Sequence, residues 1–216
     1  MSFVSVFMDL MFPPKCAFCK KVLGKGDEGW CDICIEELPW TGDEGIFEGE
    51  SFECCVSPLF YRGTVRRSIL RFKFYGKAAY AGAYGKILAD CIREKLGTGY
   101  DIITWVPLSN KRERTRGYDQ AMLLALATAL ELDNVAVETL KKPHEVQAQS
   151  ELGNKEERNA NISGAYVVSE PELIEGKTVL LVDDVTTTGS TLSECAKELL
   201  SAGATRVVCA TLACGD

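Results

Sequence analysis

One run of fourteen residues, VLLVDDVTTTGSTL at positions 179–192, constrains the fold more than any other part of the sequence. Its four leading apolar residues, bounded by polar ones, predict a buried strand. Two aspartates and a turn of small, mostly hydroxyl-bearing residues follow, and a helix is predicted over 190–202, ended by Gly203. An ordinary polar turn with a good N-cap would explain the hydroxyls. It would, however, leave two ionised carboxylates side by side without a cation or a ligand.

Strands and helices alternate along the rest of the chain. Helical spacing relates Val65, Ile69 and Phe72. The other predicted elements are helices over 79–96 and 120–132, strands at 101–107, 165–169, 178–184 and 205–213, and a polar turn at 108–120. This order implies a parallel sheet flanked by helices, in which ligands bind at the carboxyl ends of the strands. The predicted fold class is α/β, with one domain over 57–216 and a smaller module over 1–56.

Length and composition indicate a soluble globular protein, because 216 residues with 46% hydrophobic content can bury a full core. The first twelve residues lack the basic lead and the cleavage site of a secretory signal. Their apolar side chains share one helical face, which predicts a short amphipathic helix that packs on the protein. No apolar run reaches the ~18 residues of a membrane span. The predicted location is the cytoplasm.

Two C-x2-C pairs, Cys16/Cys19 and Cys31/Cys34, are separated by eleven residues. Two such knuckles can complete a closed tetrahedral zinc site, with each thiolate about 2.3 Å from the ion. A disulfide-redox role would need one such pair beside a βαβ unit, which this segment lacks. We therefore predict structural Zn²⁺, which supplies folding energy to a segment with few apolar residues. The other cysteines are predicted to be buried in the core: Cys54, Cys55, Cys91, Cys195, Cys209 and Cys214.

Charge is distributed unevenly around a net value of −7. Residues 27–53 contain ten acids and no Lys or Arg, whereas residues 62–77 contain six basic residues and no acid. A second basic run, KRERTR, occupies 111–116. Charge runs usually mark solvated faces, but here they also suggest an acidic module attached to a body with a basic surface.

The hydroxyl-rich turn has the chemistry of a phosphate site. Backbone amides, hydroxyls and the helix N-terminus together can hold a phosphate, while Gly189 permits close approach of the backbone. The candidate phosphate-binding residues are Thr186, Thr187, Thr188, Gly189, Ser190 and Thr191. Neither a Walker loop nor G-x-G-x-x-G is present. Asp183 and Asp184 are then placed to accept hydrogen bonds from the hydroxyls of an attached sugar.

This run resembles the phosphoribosyl-pyrophosphate motif of type I phosphoribosyltransferases. The cysteine knuckle, MFPP (11–14), KFYG (73–76), VPLSNKRERTRGYDQA (106–121) and GAY (164–166) together resemble the ComF family. A second cysteine pair that the family often carries is absent, with Cys54-Cys55 near its place. The resemblance implies a type I phosphoribosyltransferase-like fold with a zinc-binding module, and a role in DNA uptake during natural transformation.

Site residues follow from the same resemblance. It implies pyrophosphate contacts from Ser109, Asn110 and Lys111, and a lid over 141–164 that includes Gln149, Arg158 and Asn161. The polar stretch 140–164 is itself longer than most structural connections, and loops of this length are usually functional lids or disordered.

Two classes of function remain open. An enzyme would transfer ribose 5-phosphate to or from an unknown acceptor, with Asp183, Asp184, Lys111 and Arg112 as candidate catalytic residues and Mg²⁺ bound with phosphoribosyl pyrophosphate. No base pocket is recognisable in the sequence. A binding protein would instead sense a phosphorylated ribose or single-stranded DNA among competence-machinery proteins. Candidate nucleic-acid contacts are Arg67, Arg71, Lys73, Arg114 and Arg116, since cations between aromatic residues contact phosphates and stack bases.

Overall fold

A computed structural model describes residues 13–24, 26–143 and 165–215, and of residues 110–112 only the backbone. The helices in this part of the chain are α1 (Asp32–Glu37), α2 (Gly63–Phe74), α3 (Tyr80–Lys95), α4 (Asn110–Arg116), α5 (Gln120–Glu131) and α6 (Ser190–Ser201). The strands are β1 (Ile46–Phe47), β2 (Cys55–Val56), β3 (Leu59–Phe60), β4 (Ile102–Trp105), β5 (Leu140–Lys141), β6 (Val167–Val168), β7 (Thr178–Thr186) and β8 (Arg206–Cys214). Short 3-10 helices occupy Gly42–Gly45 and Pro171–Leu173.

The main sheet has the order β1-β2-β8-β7-β4, and β3 pairs with β8 beyond the end of β2. Strands β2, β3 and β7 run parallel to β8, β4 runs parallel to β7, and only β1 is antiparallel in this sheet as described. The predicted parallel α/β sheet is therefore confirmed. The carboxyl ends of β4 and β7 meet at one edge, where ligands bind in folds of this type.

Strand β7 is covered on both faces. Leu180 and Val182 pack into the cluster that includes α2, α3 and α5, whereas Val179 and Leu181 pack into the cluster beneath α6. All four are fully buried, which explains why the strand reads as an unbroken apolar run. The strand also continues past the predicted end at Asp184 to Thr186, because β8 pairs with it that far.

Helix α2 has the predicted face, since Val65, Ile69 and Phe72 are fully buried. The predicted polar turn at 108–120 is wrong in its middle, where residues 110–116 form helix α4. Arg, Lys and Glu are strong helix formers. Ser109 precedes the helix in an extended conformation, and Gly117 ends it at φ 83°. A basic run that looked like a loop is thus a short helix.

The stretch predicted as a lid begins with ordered backbone. Strand β5 lies at its start and pairs antiparallel with β6, so these two strands form a separate two-stranded sheet. The strand predicted at 165–169 is therefore present as β6 but lies outside the main sheet. The lid residues Gln149, Arg158 and Asn161 lie outside the described residues, as does the predicted amphipathic helix at 1–12.

The cysteine segment does not stand apart from the main core. Phe18 is buried and its ring centroid lies 6.0 Å from that of Tyr84 in α3. Arg71 donates from Nη2 to the carbonyl oxygens of Ala17 and Phe18, at 2.9 and 2.7 Å, and Ser68 Oγ donates to the carbonyl of Ala17. The expectation that metal supplies this segment's folding energy therefore needs a correction, because packing against α2 and α3 contributes as well. Within the described ranges, no helix has the length and apolarity to cross a membrane.

Candidate functional site

The two aspartates lie on β7 at the carboxyl edge of the sheet. Lys73 lies in the last turn of α2, and its Nζ is 2.8 Å from Oδ1 of Asp184. The side chain of Lys73 is 19% exposed and that of Asp184 is 9% exposed. This ion pair supplies the cation that the sequence left unidentified. It also means that Lys73, predicted as a nucleic-acid contact, lies at the acidic pair.

Asp183 has a different environment. Its Oδ1 accepts a hydrogen bond of 2.7 Å from the backbone N–H of Asp184. Burial, and then the charge of Asp184, raise the pKa of the Asp183 carboxyl. Two adjacent carboxylates thus differ, because Asp184 has an ammonium partner at hydrogen-bond distance and Asp183 has none among the residues that the structure describes.

The hydroxyl turn follows directly. Thr187, Thr188, Ser190 and Thr191 are exposed, and Thr188 Oγ1 lies 2.8 Å from Ser190 Oγ. Ser190 begins α6, a helix of twelve residues, so its first N–H groups have no partner within the helix. Exposed hydroxyls and N–H groups at one helix N-terminus are suited to an anion. Thr186 differs from the other hydroxyl-bearing residues of the predicted phosphate set, since it is buried within β7.

Gly189 is required by the backbone. Its φ of 73° lies in the left-handed region, and a Cβ there would stand 3.5 Å from the rings of Phe47 and Phe52. These two rings pack edge to face, 6.0 Å between centroids, and support the turn from beneath. Sequence reasoning missed them because they precede the turn by more than 130 residues, and nothing local indicates the contact.

The loop after β4 lies at the neighbouring strand end. The carboxylate of Asp119 accepts from the backbone N–H of Leu108 at 2.7 Å and from that of Met122 at 3.1 Å. The same carboxylate therefore caps α5 and holds this loop in place. Burial raises the pKa of the Asp119 carboxyl. Ser109 is half-buried directly before α4, and the backbone of residues 110–112 forms the first turn of that helix. The predicted pyrophosphate and catalytic residues 109–112 thus follow β4, the strand that pairs with β7.

The predicted nucleic-acid residues do not form one free surface. Arg67 is exposed and donates to Thr64 Oγ1 at 3.0 Å, and Arg114 is exposed. Arg71 donates hydrogen bonds to the cysteine segment, and Lys73 forms the ion pair with Asp184. Arg116 lies with its guanidinium carbon 4.8 Å from the ring centroid of Phe74.

A groove between the cysteine segment and helices α2 and α3 does gather cations. Its volume is about 970 Å³, and its lining includes one acid, Asp27. The cations that line it are Lys15, Lys20, Arg67, Arg71 and Lys77, with Tyr75 and Tyr80 among them. Sequence reasoning missed Lys15 and Lys20, because they belong to a module that was classified by its acids.

The four predicted zinc ligands come together. The Sγ atoms of Cys16, Cys19, Cys31 and Cys34 all lie within 4.8 Å of one another, and those of Cys19 and Cys31 are 3.7 Å apart. Tetrahedral zinc with bonds of about 2.3 Å separates its sulfurs by about 3.8 Å, so the cluster fits the ion. Burial and the neighbouring thiols raise the pKa of Cys34, so a cation is needed to hold all four as thiolates.

Two family models match the sequence. The model of the phosphoribosyl transferase domain matches residues 120–215, which contain the acidic pair and the hydroxyl turn. The model of the double zinc ribbon domain matches residues 7–44, which contain the four cysteines. The predicted type I phosphoribosyltransferase-like fold with an N-terminal zinc ribbon is thereby confirmed.

Proteins of similar sequence occur in several bacteria. Competence protein ComFC of Bacillus subtilis is 26% identical over 147 residues, covering 66% of this chain and 56% of that protein. DNA utilization protein YhgH of Escherichia coli is 27% identical over 232 aligned positions, covering 94% of this chain and 100% of that protein. Competence protein F of Haemophilus influenzae is 29% identical over 213 positions, covering 88% and 92%.

Among solved structures, glutamine phosphoribosylpyrophosphate amidotransferase from B. subtilis superposes with a TM-score of 0.48 at 20% identity. The match covers 66% of this chain and 30% of that one. At this TM-score the similarity supports no argument about function.

Proposed function

The chain is a homologue of the ComF competence proteins, as its motifs implied, and on that premise we propose that it binds phosphoribosyl pyrophosphate or a related ribose phosphate and acts in DNA uptake during natural transformation. The ligand's 5-phosphate occupies the hydroxyl turn at residues 187–191. Its ribose hydroxyls donate to Asp183 and Asp184, and its pyrophosphate faces residues 109–112. The observation that carries this proposal is the acidic pair and the exposed hydroxyl turn at the end of one buried strand, next to the loop after β4.

Mg²⁺ fits the acidic pair, because carboxylate oxygens are its preferred protein ligands and Asp183 has no ion-pair partner among the described residues. Asp183 would hold the ion, and Asp184 would become a second ligand when Lys73 moves away from its carboxylate. Bound Mg²⁺ would neutralise charge on pyrophosphate. The chain's own part is to fix the carboxylates on a buried strand and to orient the phosphate at the start of α6.

An active transferase of nucleotide or related metabolism without a DNA role is the second candidate. The same crevice supports it, because positioning and charge neutralisation are most of what phosphoribosyl transfer needs from a protein. The four-thiol zinc site has no part in either candidate, since four thiolates leave no open coordination position.

A titration with phosphoribosyl pyrophosphate and Mg²⁺ tests the proposal. We expect saturable binding by calorimetry, and weaker binding by the Asp183→Asn/Asp184→Asn variant. Release of pyrophosphate into solution during the titration would favour the transferase, whereas binding without release would favour a sensor. Absence of binding by the wild-type protein would contradict the proposal.

The basic groove supports the DNA part of the proposal. Cations that alternate with aromatic rings along a groove can follow a sugar–phosphate backbone while bases stack on the rings. The groove lies on the side of α2 that faces the zinc ribbon, so DNA there would leave the ribose-phosphate crevice open.

A further inference from the structure

Helix α5 reverses the usual arrangement of polar and apolar side chains. Its two uncharged polar residues, Gln120 and Thr128, are buried. Between positions 121 and 130, every residue that reaches solvent is apolar, and these residues are Met122, Leu123, Leu126, Ala127 and Leu130. A helix that is apolar on all sides is normally enclosed by other protein.

No described part of the chain covers the outward face of α5. Leu126 is 44% exposed and Leu130 is 80% exposed, and Val135, in the turn after the helix, is 68% exposed. Helix α6 shows the ordinary arrangement, since most of its positions that reach solvent carry Thr, Ser, Glu or Lys. Exposed apolar side chains grouped in this way mark a contact with another protein surface.

Three leucines on this face have the spacing of a helix–helix seam. Leu123, Leu126 and Leu130 are separated by three and then four residues, which is the a-d-a spacing of a coiled coil. Such spacing aligns side chains along a line that packs against another helix with the same spacing. Helix α5 of a second copy of the chain supplies such a helix.

The two ends of α5 carry opposite charges. Helix α4, which ends beside the first turn of α5, contains four basic residues and one acid, and its Arg114 is exposed. Glu131 and Asp133 are exposed at the other end of α5. None of these three side chains forms an ion pair among the described residues. Antiparallel pairing of two copies brings the basic end of one to the acidic end of the other and also opposes the two helix dipoles.

We propose that the outward face of α5 is the interface of a homodimer, in which α5 of one copy packs antiparallel on α5 of its partner. The interface is isologous, so the contact between a basic end and an acidic end occurs twice. A contact made by one helix and the turn after it is small for a stable complex, so we expect a dissociation constant in about the micromolar range. The seam takes no part in the proposed ribose-phosphate site, and its test does not depend on that ligand.

Analytical ultracentrifugation of the full chain across the micromolar range tests the interface. We expect a reversible equilibrium between monomer and dimer. Leu130→Glu places a charge in the seam and should raise the dissociation constant by about 30-fold or more, as loss of an interface hot spot does. Leu200→Glu is the matched control, because Leu200 is 38% exposed on α6, and it should leave the equilibrium unchanged.

Charge reversal tests the antiparallel arrangement. Arg114→Glu should weaken the dimer by about tenfold at low salt and by less at high salt, because salt screens exposed charges. Adding Glu131→Arg and Asp133→Arg to Arg114→Glu reverses both ends and should restore the wild-type affinity. If Arg114→Glu has no effect and the triple variant gains nothing over it, the antiparallel dimer is overturned.

Two further results would overturn the homodimer at this face. The first is a dimer that tolerates Leu130→Glu as well as it tolerates Leu200→Glu. The second is a wild-type protein that stays monomeric across the concentration range, and thermal melting then identifies what covers the seam. A lower melting temperature of monomeric Leu130→Glu would assign the seam to residues 1–12 of the same chain, which lie outside the described residues. An unchanged melting temperature would assign it to a protein of different sequence.

Discussion

Among single residues, Lys73 and Asp184 form the contact that most changes how the acidic pair is understood. Both side chains are largely withdrawn from water, so the ammonium cannot be removed without leaving a poorly solvated carboxylate behind. The basic helix and the acidic strand end therefore act together. Lys73, a predicted nucleic-acid contact, is therefore not independent of the acidic pair.

A double-mutant cycle measures this coupling. Lys73→Met should lower the free energy of unfolding by about 1–3 kcal/mol, the cost of leaving a charged partner unsatisfied. Lys73→Met combined with Asp184→Asn should cost less than the sum of the single changes, as groups in contact do. Urea denaturation gives the values. Lys77→Met, at an exposed position, is the control and should change little, and strict additivity in the cycle would refute the coupling.

Gly189 supports a second prediction at the residue scale. Gly189→Val should weaken binding of ribose 5-phosphate, because a β-branched residue is strained at a φ of 73° and its side chain would press on Phe47 and Phe52. Gly97→Val is the matched control, with a φ of 62° and nothing within 4 Å of its Cβ, at the amino-terminal side of β4. Calorimetry and thermal melting of both variants separate strain from ligand binding. If both lose stability equally and both keep the ligand, the turn does not hold phosphate.

At the scale of elements, α2 joins the zinc ribbon to the crevice proposed to bind ribose phosphate. Arg71 bonds two carbonyls of the cysteine segment, and Lys73, two residues later, reaches the acidic pair. The helical spacing of Val65, Ile69 and Phe72 was enough to predict the buried face of this helix. Its polar contacts were not predictable, because they connect positions more than 50 residues apart and leave no local pattern.

Zinc removal tests this connection. Cys31→Ser should abolish the bound zinc measured by elemental analysis, and it should lower the melting temperature of the whole protein, because Phe18 and its neighbours belong to the main core. This differs from the expectation for a separate module, whose loss would leave the α/β body unchanged. Cys91→Ser, on α3 and away from the cluster, should keep the zinc. An unchanged melting temperature in the zinc-free variant would show that the ribbon is energetically separate.

On the scale of the whole molecule, the parallel sheet was easier to predict from the sequence than the basic groove on the surface. A strand buried on both faces must be apolar throughout, as residues 179–182 are, so the sequence alone indicates a place inside a parallel sheet. The candidate site could be proposed from sequence only where its residues follow one strand, as Asp183 and the hydroxyl turn do. The groove, by contrast, combines Lys15 and Lys20 of the zinc ribbon with Arg67 of α2, and only the packing of distant segments brings such cations together.

DNA binding by this groove is testable through salt. Lys15→Ala with Lys20→Ala should weaken binding of a single-stranded oligonucleotide and flatten the plot of log affinity against log salt by about 1.4, since each lost phosphate contact removes about 0.7. Fluorescence anisotropy at several salt concentrations gives the slope. The control pair Lys177→Ala with Lys197→Ala lies at the α6 side and should leave the slope unchanged. Equal slopes in both pairs would mean that the groove does not bind DNA.

The central place of β8 has a consequence for how the chain folds during synthesis. Strands β2, β3 and β7 all pair with β8, which comes last of these strands in the chain. During synthesis, about 150 further residues must be added after β2 and β3 before their partner strand β8 has been made. Pairing across such sequence separation is slow, and unpaired strand edges are prone to aggregate. The protein is therefore most exposed to misfolding and to chaperones in the interval before Arg206–Cys214 arrives.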